Sequence, residues 1–195
     1  MSRSASITRD TNETHIKVGL NLDGSGEFTI DTGIGFFDHM LAQTARHGFL
    51  DLTIQCAGDL QIDTHHTVED VGIALGCSFA RALGGKEGIS RYGSGIVPMD
   101  EALALCAIDF SGRPYLAFDA GFTVQRVGDL DSEMIEEFFR AFAANAGCAL
   151  HVKLLAGRNN HHMAEAVFKA FGQAVEQAVS FDPRITGPRS TKGVL

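Results

Sequence analysis

The string His-His-x-x-Glu occurs twice in the 195-residue chain, as His65-His66-Thr67-Val68-Glu69 and as His161-His162-Met163-Ala164-Glu165. Each copy occupies the same point in the same succession. A helix ends at a glycine (His47-Gly48, Ala146-Gly147), a strand follows, and a short loop delivers the motif to the start of a second helix. Recurrence of both element order and motif marks an internal duplication, which restricts the chain to folds built from two similar halves.

Apolar periodicity supplies the elements of each half. Alternating or β-branched segments near Ile7 to Lys17 and Glu27 to Ile30 predict strands, Phe36 to His47 a helix, and Leu50 to Ala57 a strand. Val68, Val71, Leu75, Phe79 and Leu83 recur at steps of three and four, an amphipathic helix stopped by Gly84-Gly85. The second half predicts strands near Leu103 to Phe110 and Pro114 to Phe118, then a helix to Ala146 with Ser132 as its N-cap. A strand at Ala149 to Ala156 and a helix with Val167, Phe168, Phe171, Val175 and Val179 on one side complete it. The expected fold is α+β with an internal duplication: halves 1–92 and 93–195, divided near Tyr92 to Gly95, each a small β-sheet with two helices, packed as one compact unit.

With 45% hydrophobic and 21% charged residues, the chain has the composition of an ordinary globular protein and not of a disordered one. A net charge of −8 without a dense Lys/Arg cluster argues against nucleic acid as a partner. The opening MSRSASITRD lacks the apolar stretch of a secretory signal, and no window has the length of a membrane span. Cys56, Cys77, Cys106 and Cys148 lie in apolar runs without CxxC spacing, as buried thiols of a reducing compartment do. A cytoplasmic location without membrane contact is expected.

On a helix, the first histidine and the glutamate of each motif are four residues apart and the second histidine and the glutamate three apart, so they share a face. Adjacent histidines diverge by about 100°, and each pair therefore serves two separate metals more easily than one. Imidazoles and carboxylates without thiolates suit Mn, Fe, Co, Ni or Zn and not a structural zinc site. The preceding helices add His39, in Phe36-Phe37-Asp38-His39-Met40, and its approximate counterpart Glu137, in Glu136-Glu137-Phe138-Phe139.

Glu13 and Asp100-Glu101 are carboxylates able to move protons, or simply solvated turn residues. Arg91, Arg113, Lys169, Ser190 and Lys192 are groups able to grip a phosphate, and spacing leaves open whether they converge. The terminal Pro188-Arg189-Ser190-Thr191-Lys192-Gly193 lacks Walker spacing, which excludes a P-loop.

In order along the chain, RDTNET, GIGFFDHML, DTHHTVEDVGIALG, GSGIVPMDEAL, DFSGRPY, NNHHMAEAVFKAFG and STKGVL resemble the imidazoleglycerol-phosphate dehydratase family, from about Ile7 to the C-terminus. The resemblance implies a duplicated α+β fold, two divalent metal ions per active site with manganese the usual one, and a homo-oligomeric shell of eight trimers. It implies a hydro-lyase of histidine biosynthesis that converts imidazole glycerol phosphate to imidazole acetol phosphate. By motif, His39, His65, His66, Glu69, His161, His162 and Glu165 resemble the metal ligands. Glu137 stands where many relatives carry histidine, a position that a carboxylate is also able to fill. Glu13 and Glu165 resemble the proton-transfer groups, Gln43 and Asp100 the substrate-positioning groups, and Arg91, Arg113, Lys169, Ser190 and Lys192 the phosphate clamp.

The implied reaction removes a proton from a carbon with no adjacent carbonyl, so it needs an electron sink. Binding of the substrate ring to metal as imidazolate provides one: its electrons expel the neighbouring hydroxyl, leaving a diazafulvene-like intermediate whose next proton is acidic. Glu13 and Glu165 then share the general acid and base roles, in an order that the sequence leaves open. Two other readings compete. A dinuclear metal-dependent hydrolase of a phosphorylated small molecule would release inorganic phosphate, and a metal-buffering protein would bind metal without turnover.

Overall fold

The computed structural model describes residues 3–195. The first half runs β1 (Ser4–Asp10), β2 (Thr14–Asn21), β3 (Phe28–Asp31), α1 (Gly35–His47), β4 (Asp51–Gly58) and α2 (His65–Leu83). The second runs β5 (Tyr92–Met99), β6 (Ala102–Asp109), β7 (Tyr115–Asp119), the short pair β8 (Arg126–Val127) and β9 (Leu130–Asp131), α3 (Glu133–Ala146), β10 (Ala149–Ala156) and α4 (Asn160–Val179). The two four-stranded sheets have orders β1-β2-β4-β3 and β5-β6-β10-β7. In both, the first three strands of that order pair antiparallel and the last pair is parallel. The duplication therefore extends to strand order and direction.

Strand alternation turns one apolar face of each sheet inward. Ile16, Val18, Leu20, Leu52 and Ile54 are buried in the first sheet, and Ala104, Cys106, Ile108, Leu150 and Val152 in the second. Helix α2 covers β1 and β2, and α4 covers β5 and β6. The shorter helices change sides: α1 packs on α4 of the other half, and α3 on α2. Phenylalanines fill the junction, with Phe37 edge-on to Phe138 at 5.4 Å and Phe139 edge-on to Phe171 at 5.1 Å, the ring geometry favoured by aromatic quadrupoles.

Glycines set how closely these helices cross. A Cβ on Gly72 or Gly76 of α2 would lie 2.8 Å from the Phe138 carbonyl or 2.7 Å from that of Phe142, both on α3. On α4, a Cβ at Gly172 would stand 2.9 Å from the Thr44 carbonyl of α1. Only a residue without a side chain permits such an approach.

Four local differences separate the structure from the sequence expectation. The segment near Ile7 to Lys17 is two strands and not one, because Thr11 Oγ1 accepts the amides of Glu13 and Thr14 and folds the polar run into a turn. Strand β5 fell at the expected boundary, where its glycines and Pro98 obscure strand character. Those residues have structural reasons. A Cβ at Gly93 would meet the Ala174 carbonyl at 1.8 Å, and the edge position of β5 tolerates proline. The β8–β9 pair had no sequence signal. Ser132 does precede α3, but its hydroxyl donates to the Val124 and Gln125 carbonyls and accepts no helix amide.

The outer faces of the two sheets differ in chemistry. On the first sheet, Ser6, Thr8, Lys17, Thr53 and Gln55 face outward. On the second, Tyr92, Ile96, Leu105 and Tyr115 do, and Tyr92, Ile96 and Tyr115 are 47%, 60% and 60% exposed. The second sheet thus exposes more apolar side-chain surface on its outer face than the first does. The four cysteines are free, and no helix among the described residues is long and apolar enough to cross a membrane.

Candidate metal centres

Both His-His-x-x-Glu motifs open a helix, and the same local device fixes where each begins. The Asp63 carboxylate accepts the His65 amide at 2.8 Å, and the Asn159 side chain accepts the His161 amide at 3.0 Å. These bonds satisfy otherwise orphaned first-turn donors, so the histidines stand at the exposed end of each helix.

The first histidine and the glutamate of each motif meet a residue from the opposite half. His39 of α1 joins His161 and Glu165 of α4, and Glu137 of α3 joins His65 and Glu69 of α2. Within each triad the candidate ligand atoms all lie within 4.8 Å of one another. His39 Nε2 and His161 Nε2 approach the same Glu165 oxygen, at 3.3 and 3.2 Å. The close crossings of α1 with α4 and of α2 with α3 make these meetings possible. Two nitrogen donors with one carboxylate, and one with two, fit a divalent ion of the manganese-to-zinc series.

The second histidines point elsewhere. The rings of His65 and His66 stand at 84°, and those of His161 and His162 at 86°, each pair 6.2 Å apart between centroids. His66 Nδ1 faces both Asp59 oxygens, at 3.1 and 3.0 Å, and its Nε2 lies 3.7 Å from Glu13. His162 Nδ1 lies 2.7 Å from Glu101, and its Nε2 is 3.7 Å from Asp100. The turn carrying Glu13 is fixed by Thr14, whose hydroxyl donates to the buried Asp70 carboxylate of α2, itself paired with Arg9.

These contacts shift proton affinities. The hydrogen bond to Asp59 raises His66, and that to Glu101 raises His162. In return, His162 together with the Asn159 amide lowers Glu101 to about 2. Burial pushes Glu165 up, but the Lys169 ammonium, 2.6 Å from its carboxylate, and the His39 ring outweigh burial and hold it below the ordinary carboxylate value. Glu165 is therefore an ionised carboxylate at neutral pH.

The groups expected to grip phosphate divide between two places. Lys169 sits at the His39–His161–Glu165 triad, where Gln43 Nε2 also approaches His39 Nδ1 at 3.5 Å. Arg91, Arg113, Ser190 and Lys192 converge instead, with Arg189, around a separate cavity of about 500 Å³. Arg91 is 7% exposed, and its guanidinium is engaged twice by Asp109 and once by the Arg189 carbonyl, which ties the C-terminal segment down. No triad residue lines that cavity.

Residues 32–175 match the family model described as imidazoleglycerol-phosphate dehydratase. The chain belongs to the imidazoleglycerol-phosphate dehydratase family. It is 59% identical over 191 residues to the imidazoleglycerol-phosphate dehydratase of Clostridium botulinum strain Langeland, covering 98% of this chain and 97% of that one. The Moorella thermoacetica protein of the same name is 58% identical over 195 residues, the full length of both. Among solved structures, that of the Staphylococcus aureus imidazoleglycerol-phosphate dehydratase has a TM-score of 0.83 at 38% identity, covering 92% of this chain and 99% of that one. The Pyrococcus furiosus member also gives 0.83, at 34% identity and 97% and 100% coverage.

Glu137, expected in place of a family histidine, offers a carboxylate donor beside His65 and Glu69. Two carboxylates at the site escaped the sequence reading in these roles. Asp59 carried one signal, an acidic residue in the loop just ahead of the first motif; Glu101 was read as a proton-moving or solvated turn carboxylate and not as a partner of His162. Asp109, the partner of Arg91, ends a strand and carried none.

Proposed function

We propose that this chain eliminates water from imidazole glycerol phosphate to give imidazole acetol phosphate, using two divalent metal ions per active site, manganese foremost. The observation that carries this reading is the pair of triads drawn from opposite halves, in a chain of the imidazoleglycerol-phosphate dehydratase family. His39, His161 and Glu165 would hold one ion, and His65, Glu69 and Glu137 the other. Ions held there would supply the electron sink that the reaction needs.

The chain's own residues do the rest. Water leaves from the carbon attached to the ring, a proton is taken from the next carbon, and the resulting enol ketonises. Glu13 and Glu165 are the carboxylates for these proton transfers: Glu13 is exposed beside His66, and Glu165 is kept ionised by Lys169. Gln43 and Asp100, next to His39 and His162, would position the substrate, and Arg91, Arg113, Ser190, Lys192 and Lys169 its phosphate.

The site is completed between copies of the chain. His66 and His162 turn away from the triads of their own chain, and the phosphate-gripping cavity lies apart from both. Each is supplied when a second copy brings its own triad to them. The apolar outer face of the second sheet favours such self-association, in keeping with a shell of eight trimers. Four free thiols suit a reducing, cytoplasmic setting.

The test is to incubate the manganese-loaded protein with imidazole glycerol phosphate and follow phosphorus and carbonyl signals together. A ketone that retains its phosphate is expected. Release of inorganic phosphate would make the protein a hydrolase, and tight metal binding without turnover a metal buffer.

A further inference from the structure

We propose that Asp59 and Glu101 are positioning residues for metal binding, fixing His66 and His162 with the proton on Nδ1 so that Nε2 is the ligating atom. An ionised carboxylate only accepts hydrogen bonds, so the ring nitrogen facing it carries the proton. Asp59 offers both oxygens to His66 Nδ1, at 3.1 and 3.0 Å, and Glu101 offers Oε2 to His162 Nδ1 at 2.7 Å. In the neutral rings the lone pair then sits on Nε2. A carboxylate on the far nitrogen also makes that lone pair more basic and holds the ring's orientation.

The two halves build this arrangement from different elements. Asp59 lies in the loop between β4 and α2, whose counterpart in the second half is the loop holding Gly157 and Arg158. Glu101 lies in the β5–β6 turn, the counterpart of the turn that carries Glu13. A contact merely inherited through duplication would recur at one equivalent position. Here two non-equivalent positions supply a carboxylate to the same ring atom, as expected when the contact itself is required. Both residues are anchored in turn, Glu101 through its carboxylate and Asp59 through its backbone. Glu101 Oε1 accepts the amides of Arg158 and Asn159 at 3.1 and 2.7 Å, and the Asp59 amide donates to the Glu13 carbonyl at 3.1 Å.

The assignment rests on reading both histidine pairs as metal ligands, and the experiment separates the two ideas. Manganese affinity is measured by equilibrium dialysis on the full-length wild type and on Asp59→Asn, Glu101→Gln and Glu101→Asp. Nitrogen-15 spectra of the histidine-labelled, metal-free proteins are recorded at a pH where His66 and His162 are neutral. The expected wild-type signals are Nδ1–H at both rings. Asp59→Asn and Glu101→Gln should each weaken manganese binding by about 10- to 100-fold and let the Nε2–H form appear at the affected ring. Glu101→Asp should recover part of the affinity, an effect that a loop-stabilising role would not predict for the tautomer signal. Wild-type rings in the Nε2–H form, or unchanged manganese affinity in both amide variants, would overturn the assignment while the metal reading stands. Failure of the wild type to bind manganese would overturn both.

Discussion

His39 Nε2 lies 3.3 Å from the Glu165 carboxylate, although 126 residues and the boundary between the halves separate them. Glu137 stands in the same relation to His65 and Glu69, with the halves exchanged. Each half thus lends one candidate ligand to the motif of the other. His39→Ala and Glu137→Ala are each expected to lose one metal ion per chain, and Glu137→His to keep it, because imidazole is also a competent donor at that point. Elemental analysis of the purified variants decides this. Full metal content in Glu137→Ala would remove the first-half triad from the account.

The close approach of α2 and α3 at Gly76 carries a second expectation. A side chain there would strike the Phe142 carbonyl, so Gly76→Val should push α3, and Glu137 with it, away from α2. Overpacking of this kind costs about 1–3 kcal/mol. Metal at the His65 triad should fall together with the melting temperature. A variant with normal stability and normal metal content would show that the crossing has room to spare.

Proton transfer and phosphate binding should separate in kinetics. Glu13→Gln is expected to keep metal and fold while lowering kcat by about 100-fold or more, since Glu13 lies outside both triads. Lys192→Ala, in the cavity with Arg113 and Ser190, should raise KM with little change in kcat or metal content. Wild-type turnover in the Glu13 variant would reduce that residue to a turn former. A lowered kcat in the Lys192 variant would place it in the chemistry.

Asp51 supplies a pH-dependent contribution to stability far from the metal centres. Its carboxylate accepts the Ser25 amide at 2.8 Å, the Glu27 amide at 3.3 Å and the Asn21 side chain at 3.1 Å, and the Ser25 bond is the largest influence holding it below the ordinary aspartate value. A depressed folded value means that the stabilisation is fully present above the ordinary aspartate value and is lost as pH falls through the lower folded value. Asp51→Ala should therefore melt below the wild type at neutral pH, and the gap should close in acid. A gap that stays constant through acid pH would assign the loss to packing and not to charge.

Much of this architecture was legible in the sequence because duplication repeats its own signals. The helices were marked by three- and four-residue steps such as Val68, Val71 and Leu75, and the two motifs announced themselves by spacing. Strand β5 was hidden because Gly93 and Gly95 answer to the backbone of α4, a demand that acts across the fold and leaves no trace of strand propensity. The pairing of His39 with the second motif and of Glu137 with the first was equally invisible. It depends on which helices cross, and local periodicity does not record that. The divergence of adjacent histidines followed from helix geometry alone, whereas the carboxylates behind them, Asp59 and Glu101, come from loops whose path is set by tertiary packing.

In the proposed function, metal held by these triads is needed both for dehydration and for completing the site between chains. The most direct measurement is to strip the protein with a chelator, verify metal loss, and titrate manganese back while recording light scattering and ketone formation on the same sample. Stripped protein should be folded, inactive and smaller, at the mass of trimers, because in the proposed arrangement the complete site would exist only in the larger form. Particle mass and turnover should then return together as manganese is added. Undiminished turnover in protein shown to lack metal would contradict the metal claim, and an unchanged particle mass would show that assembly rests on protein contacts alone.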